Sequence, residues 1–339
     1  AAAAFTFNEQ NIKLTECRHS HRLSQESGVD LFLKMEVNQV TGSFKERGAR
    51  WALLQLDEKD RKTGVYAASA GNHALALSYH GQQLGIPVNV VMPRHAPIMK
   101  IESCGRFGAN IRVEGKHMVE SRTIGLRLAS ENHGKYINGY DHVDVIAGAG
   151  TVGLEVIEQV MHADVDAVLV PVGGGGLIAG VSLAIKSVFP RVKVIGVEAA
   201  SCSGFKVHSL EAGKPVLSTS LGTLADGLAV PLIGCNSFAT AKDHIDRMVT
   251  VSEEDISLAI LRLVEYEKVV VEGAGAVGIA ALLSGQLNDL KGKKVVSLIT
   301  GGNIDSSSLG KCIERGLLLY CLISSKTVVL TRSEITHSG

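Results

Sequence analysis

The stretch VYAASAGNHALALSYHGQQLGIPVNVVM, residues 65–92, decides the architecture. Val65 to Ala68 is a short β-forming run, Ala74 to Leu84 reads as a helix, and Val88 to Met92 is a second β-branched run. Strand, helix and strand in succession imply parallel strands joined by a crossover helix. A further helix is expected from Pro97. After a glycine-rich junction at Gly148 to Gly153 the alternation resumes, with a strand over Ala167 to Val172, a helix over Leu177 to Val188, and strands over Val192 to Val197 and Val295 to Ile299. The expected class is α/β, with two units of parallel sheet flanked by helices. No solenoid-length repeat or low-complexity linker parts them, so the units should exchange chain segments rather than follow as beads. Within the tail from Tyr320 to Gly339, Thr327 to Leu330 reads as strand-like.

The chain has 339 residues, room for two domains or one large divided body. Hydrophobic residues make 45% of it, charged residues 20%, and the formal charge is zero, which gives no basis for nucleic acid or an anionic membrane as partner. A small molecule is the expected partner. The six cysteines are scattered without a C-x-x-C pair, against a zinc ribbon or disulfide framework and in favour of a reducing, cytosolic home. Ala1 to Ala4 read as a trimmed end rather than a leader. Ala167 to Ile185 carries no charge and is long enough for a membrane span, but it contains Pro171 and four consecutive glycines. In a continuous helix these would cost about 1 kcal/mol per glycine and about 3 for the proline, so strand, turn and helix is the better reading.

Five constellations carry possible chemistry, and each has a plainer reading. In Thr41-Gly42-Ser43-Phe44-Lys45-Glu46-Arg47-Gly48, a serine suited to capping a helix precedes a lysine on its first turn, normally a solvated charge. Pro171-Val172-Gly173-Gly174-Gly175-Gly176-Leu177 lies between an apolar strand and helix, where converging backbone N–H groups would cradle a phosphate better than a loose turn would explain. Gly148 to Gly153 and Gly273 to Gly278 both satisfy G-x-G-x-x-G, the second after a strand-like Lys268 to Val271. Neither has the acid that a dinucleotide fold places after its next strand, so glycine packing is the more economical account. Ser69-Ala70-Gly71-Asn72-His73 suits a carboxylate at a helix start, or an ordinary cap.

Taken in chain order, Gly42-Ser43-Phe44-Lys45 with Arg47-Gly48, Ser69-Ala70-Gly71-Asn72-His73, Gly173 to Gly176, Thr223-Leu224-Ala225-Asp226-Gly227 and Thr300-Gly301-Gly302-Asn303 resemble the fold-type II pyridoxal-phosphate enzymes, in their threonine dehydratase and serine racemase branch. The resemblance covers residues 10–318. It implies pyridoxal 5'-phosphate as cofactor and a tryptophan-synthase-β-like fold. Lys45 becomes the Schiff-base lysine and proton acceptor, and Phe44 a neighbour of the cofactor ring. Asn72 would bond the ring hydroxyl, Gly173, Gly174, Gly175, Gly176 and Leu177 the phosphate, and Thr300 the pyridine nitrogen. Ser69, Ala70, Asn72 and His73 would surround the carboxylate of an amino-acid substrate. The implied reaction is loss of water and then ammonia from L-threonine or L-serine, giving 2-oxobutanoate or pyruvate.

Several departures refine that expectation. In serine racemases of this family the second acid/base is a serine at the position of Ala70, and alanine has no proton to transfer, so elimination is expected over racemisation. Thr300 stands where the family often has serine, and Ala149 where it often has glutamine. The racemase cation site would keep Glu198, but its second acid corresponds to Gly204, so no metal is expected. Only 21 residues follow Leu318, too few for a regulatory domain, so feedback by isoleucine is not expected. The resemblance further implies a homodimer. Its division would be a large domain of residues 1–49 and 143–320, a small mobile domain of 50–142, and a tail of 321–339. The alternatives are a serine racemase with side elimination and, in another class, a nicotinamide-dependent dehydrogenase using the Gly273 fingerprint.

Overall fold

A computed structural model describes residues 2–6, 11–160, 162, 164–217 and 222–335. In chain order the first half forms α1 (Ala2–Thr6), β1 (Cys17–His19), α2 (His21–Ser27), β2 (Asp30–Lys34), α3 (Lys45–Leu54), α4 (Glu58–Thr63), β3 (Val65–Ala68), α5 (Asn72–Leu84), β4 (Val88–Met92), α6 (Ile98–Arg106), β5 (Asn110–Val113), α7 (Met118–Glu131), β6 (Lys135–Tyr136) and α8 (Val143–Val160). The second half forms β7 (Ala167–Pro171), α9 (Gly176–Val188), β8 (Lys193–Ala199), α10 (Cys235–Ala241), β9 (Arg247–Val251), α11 (Glu253–Arg262), α12 (Gly273–Leu283), β10 (Lys294–Leu298) and α13 (Ser306–Ile335).

Two sheets result. One has the order β1-β2-β10-β7-β8-β9, parallel except for β1 against β2, and the other has the order β5-β4-β3-β6, parallel throughout. The chain leaves the larger sheet after β2, builds the smaller one, and returns at β7. Parallel strands covered on both faces need apolar residues at every position. In β7, Ala167 and Leu169 join the cluster under α11 and α12, while Val168 and Val170 join the one under α8 and α9. Val65, Ala67, Val88 and Val90 of the smaller sheet pack with α5 and with Ala49 and Leu53 of α3.

The uncharged stretch after Ala167 is strand, loop and helix, and no described helix is long and apolar enough to cross a membrane. Three sequence expectations need correction. Gly148 to Gly153 is no junction but part of α8, and residues 268–272 form an irregular connection, beginning with Lys268 at φ +59°, instead of a strand. Thr327 to Leu330 is helical, within α13. A strand needs a ladder partner, whereas each residue added to a helix already begun at Ser306 gains one hydrogen bond. Residues 336–339 of the expected tail lie outside the described ones.

Helical glycines let three helices meet at backbone distance. A methyl group on Gly148 would fall 2.4 Å from the Arg47 carbonyl of α3, one on Gly150 2.9 Å from the Gly180 carbonyl of α9, and one on Gly180 2.4 Å from the Ile146 carbonyl. Gly148→Ala, favourable by helix propensity alone, is therefore expected to lower stability by about 1–3 kcal/mol as α3 is pushed off α8. Urea unfolding measures this, and an unchanged midpoint would mean that the helices separate at no cost.

Candidate active site

Both sheets end on one cleft. The carboxyl ends of β3, β7 and β10 and the first turns of α3, α5 and α9 border a cavity of about 290 Å³, where open parallel sheets usually take small molecules. Each candidate residue from the sequence borders it: Phe44 and Lys45, Ser69 to His73, Gly173 to Leu177, and Thr300.

Lys45 is the first residue of α3, with Phe44 before it. Its Nζ donates to the Gly139 carbonyl at 2.5 Å and lies 5.1 Å from the centre of the Phe44 ring. Burial lowers its pKa to about 8, against an upward pull from the Glu272 carboxylate. Part of the amine is then neutral at ordinary pH, as a nucleophile or base requires.

The glycine loop follows β7 directly. A methyl group on Gly174 would fall 2.3 Å from the Tyr140 ring, one on Gly176 2.5 Å from the Tyr140 carbonyl, and Gly175 has a φ of +93°. Side chains are thus excluded from the start of α9, whose cap residue Gly175 makes no side-chain hydrogen bond. Such a bare helix start leaves backbone N–H groups free to face an anion.

Asn72 is held at both ends of its amide. Its Nδ2 donates to Glu272 Oε1 at 2.7 Å, and its Oδ1 accepts from Asn303 Nδ2 at 2.8 Å, which also donates to the Thr41 carbonyl at 2.7 Å. His73 Nε2 donates to the Ile137 carbonyl at 3.1 Å. Burial first, then the Lys45 charge, lowers its pKa to about 3, so the ring is neutral and the buried Nδ1, without a protein partner, carries a lone pair. Ser69 Oγ accepts from the Gly71 N–H at 3.3 Å, a local turn. Thr300 is buried, and its carbonyl accepts from the Phe44 N–H at 3.0 Å.

Among the cavity residues that sequence reading left without a role are the polar side chains of Glu272, Lys100, Arg122 and Tyr140. Glu272 precedes α12, and burial, helped by the Asp226 carboxylate, raises its pKa to about 7, while Asn72, Lys100 and Lys45 pull the other way. An acid immediately before the apolar run Gly273 to Leu283 was the available signal. Lys100 of α6 reaches Asp226 across the mouth, Nζ to Oδ2 at 3.3 Å. Glu198 is buried, and its Oε1 accepts from the Phe205 N–H at 2.8 Å. The Gly273 fingerprint lies inside α12, where a methyl group on Gly273 would fall 2.4 Å from the Leu224 carbonyl. A phosphate has no room there, and the nicotinamide alternative loses its site.

Comparison with known proteins agrees with this geometry. The profile of the pyridoxal-phosphate dependent enzymes matches residues 9–301. The chain is 46% identical over 307 residues to an L-threonine ammonia-lyase of Thermotoga maritima, covering 91% of this chain and 75% of that protein. Among solved structures it is similar to the processed form of threonine deaminase isoform 2 from Solanum lycopersicum, with TM-score 0.87, 35% identity, and 93% and 91% of the two chains covered. It is also similar to serine racemase from Dictyostelium discoideum, with TM-score 0.82, 34% identity, and 90% and 97% covered.

Because the Glu272 carboxyl titrates higher in the folded protein than in the unfolded chain, its ionisation opposes folding. That penalty is absent below pH 4.5 and complete above pH 7. The coenzyme-free Glu272→Gln protein should therefore gain on the parent across that window, by up to about 3 kcal/mol at the upper end. Urea titrations at pH 5 and pH 8 test the sign, and an equal difference at both would place the carboxyl elsewhere on the scale.

Proposed function

Since the chain belongs to the pyridoxal-phosphate dependent enzyme family, we propose that it is an ammonia-lyase that converts L-threonine to 2-oxobutanoate and ammonia, and L-serine to pyruvate by the same steps. The observation that carries this reading is that the Lys45 amine and the glycine cradle open onto one cavity. The residues present fit the coenzyme: a cradle closed to side chains suits its phosphate, and a lysine of lowered pKa suits its aldehyde.

When bound, pyridoxal phosphate supplies an electrophilic aldehyde and a conjugated ring that spreads the negative charge developed at the substrate Cα. Lys45 and the backbone N–H groups of Gly173 to Gly176, with Leu177, would hold it, Phe44 would flank it, and the Asn72 amide, braced by Glu272 and Asn303, would meet the ring hydroxyl. Thr300 would offer a hydroxyl and no carboxylate to the ring nitrogen, so the ring would not be held as a full cation, which suits elimination. Ser69, Ala70, Asn72 and His73 would bind the substrate carboxylate, largely through backbone groups. Once the substrate amine displaces it from the aldehyde, the Lys45 amine, with its pKa near operating pH, would be free to take the Cα proton. The β-hydroxyl departs as water, and hydrolysis of the remaining enamine releases ammonia and the keto acid. Ala70 has no proton for the opposite face, so elimination wins over racemisation.

Residues 1–49 and 143–320 are assigned to a large domain and 50–142 to a small one whose closure excludes water. A homodimer working in the cytosol completes the proposal, in keeping with the free cysteines.

A keto acid assay across L- and D-hydroxy amino acids should show L-threonine turned over fastest. Lys45→Ala should lower that rate by about a thousandfold or more and remove the absorption band of the bound coenzyme. A band that survives in Lys45→Ala would sink the assignment. Ala70→Ser should add D-serine formation, read by chiral chromatography, and racemisation by the parent itself would favour the racemase alternative.

A further inference from the structure

Lys45 is followed on α3 by two fully buried residues for which the proposed chemistry has no use, Glu46 and Arg47. Successive helical residues point about 100° apart, so three side chains leave the first turn in three directions. Lys45 enters the cavity. Glu46 turns toward α5, where Oε2 faces His80 Nε2 at 3.2 Å, and its Oε1 accepts from the Thr41 N–H. Arg47 turns toward α8 and the turn after β2.

There its guanidinium is gripped on both sides. Nε and Nη2 donate to the two oxygens of Glu36 at 2.7 Å each, Nη1 and Nη2 donate to Glu155 at 2.5 and 2.8 Å, and Nη1 also donates to Thr151 Oγ1 at 3.1 Å. Lys34 Nζ completes the cluster, donating to Glu155 Oε2 at 2.5 Å, the Thr15 carbonyl at 2.6 Å and Gln159 Oε1 at 2.9 Å. Two cations and two carboxylates balance. Burial alone would raise the Glu36 carboxyl, but the Arg47 guanidinium overrides it and holds the group below the usual carboxylate range.

A buried ionic cluster is a poor device for stability, because apolar residues of the same volume usually serve as well or better. Its use lies in geometry: a planar fork bonded to two carboxylates cannot rotate, whereas apolar packing tolerates small slips. The cluster joins β2 and the turn after it to α8, and Arg47 adds the first turn of α3. We propose that Arg47 is a positioning residue for Lys45, its double grip on Glu36 and Glu155 setting the rotation of α3 and thereby where the lysine amine sits. The proposal rests on Lys45 being the coenzyme-binding lysine.

The test uses Arg47→Lys, which keeps the charge and loses the fork, and Thr151→Val, which at nearly constant volume removes the hydrogen bond from Arg47 Nη1 together with the one that Thr151 Oγ1 donates to the Gly148 carbonyl within α8. Coenzyme-free protein is mixed with pyridoxal phosphate, and the capture rate is followed by absorbance across pH, alongside thermal midpoints and steady-state kinetics with threonine. Arg47→Lys should slow capture about tenfold or more, and should lower kcat by a similar factor with KM within about threefold. The pH midpoint of capture should move upward from near 8 as the amine leaves its site. Thr151→Val should show the same pattern at about two- to fivefold, with little change in thermal midpoint, and it decides the matter if Arg47→Lys does not fold. Parental capture rate and pH midpoint in the variants, whatever their thermal midpoints, would overturn the proposal and leave Arg47 a structural brace. Failure of the parent itself to capture the coenzyme would remove the functional reading and this proposal together.

Discussion

An amine on the first turn of a helix is normally fully solvated, but Lys45 is half-buried in the wall of the cleft, and the arrangement around it depends on that partial loss of solvation. Burial withdraws solvation from the charged form and brings the pKa down to about 8. The amine still needs partners, and it finds the Gly139 carbonyl and the field of Glu272. Too strong an acid beside it would restore the full charge. Glu272 avoids this because it is itself buried and lies near Asp226, so its own ionisation is displaced toward pH 7. Two groups of opposite sign thus titrate near neutrality in one cavity, a pattern that marks sites of proton transfer more often than structural ion pairs.

Around this pair the polar contacts form a continuous chain. Glu272 holds Asn72, Asn72 accepts from Asn303, and Asn303 reaches back to the Thr41 carbonyl, four residues before Lys45. Segments from the ends of β10 and β3 and the start of α3 are therefore tied by side-chain amides whose hydrogen bonds leave little freedom to turn. The buried cluster at Arg47 performs the complementary restraint on the far side of α3. A side chain that must act on a bound molecule needs this second layer, because small errors in placement cost large factors in rate.

Glycine serves two unrelated purposes in this chain, and the tertiary structure separates them. At Gly174 to Gly176 the absent side chains leave room for the Tyr140 ring and backbone and expose a helix start. At Gly148, Gly150 and Gly180, and again at Gly273, they let helices approach neighbouring backbone at distances a methyl group would forbid. The two G-x-G-x-x-G matches belong to the second kind. Their spacing satisfies the dinucleotide pattern by coincidence, since residues three or four apart on a helix also share a face.

By itself the sequence determined whatever depends on neighbours along the chain. The alternation of strand and helix through residues 65–92 and 167–197 is a local matter of β-branched runs and apolar spacing, and the observed elements agree within about two residues at each end. Four glycines between an apolar strand and helix are likewise legible as a turn suited to a phosphate, whereas the lysine opening a helix after Ser43 and Phe44 reads locally as an ordinary solvated charge and takes a role only from the resemblance. Only the tertiary structure decided what they touch. Gly139 lies 94 positions from Lys45, Glu155 108 from Arg47, and Glu272 200 from Asn72. No spacing rule reaches across such separations. Burial, pKa and orientation arise from those distant partners, so they are settled only when both sheets close on the same cleft.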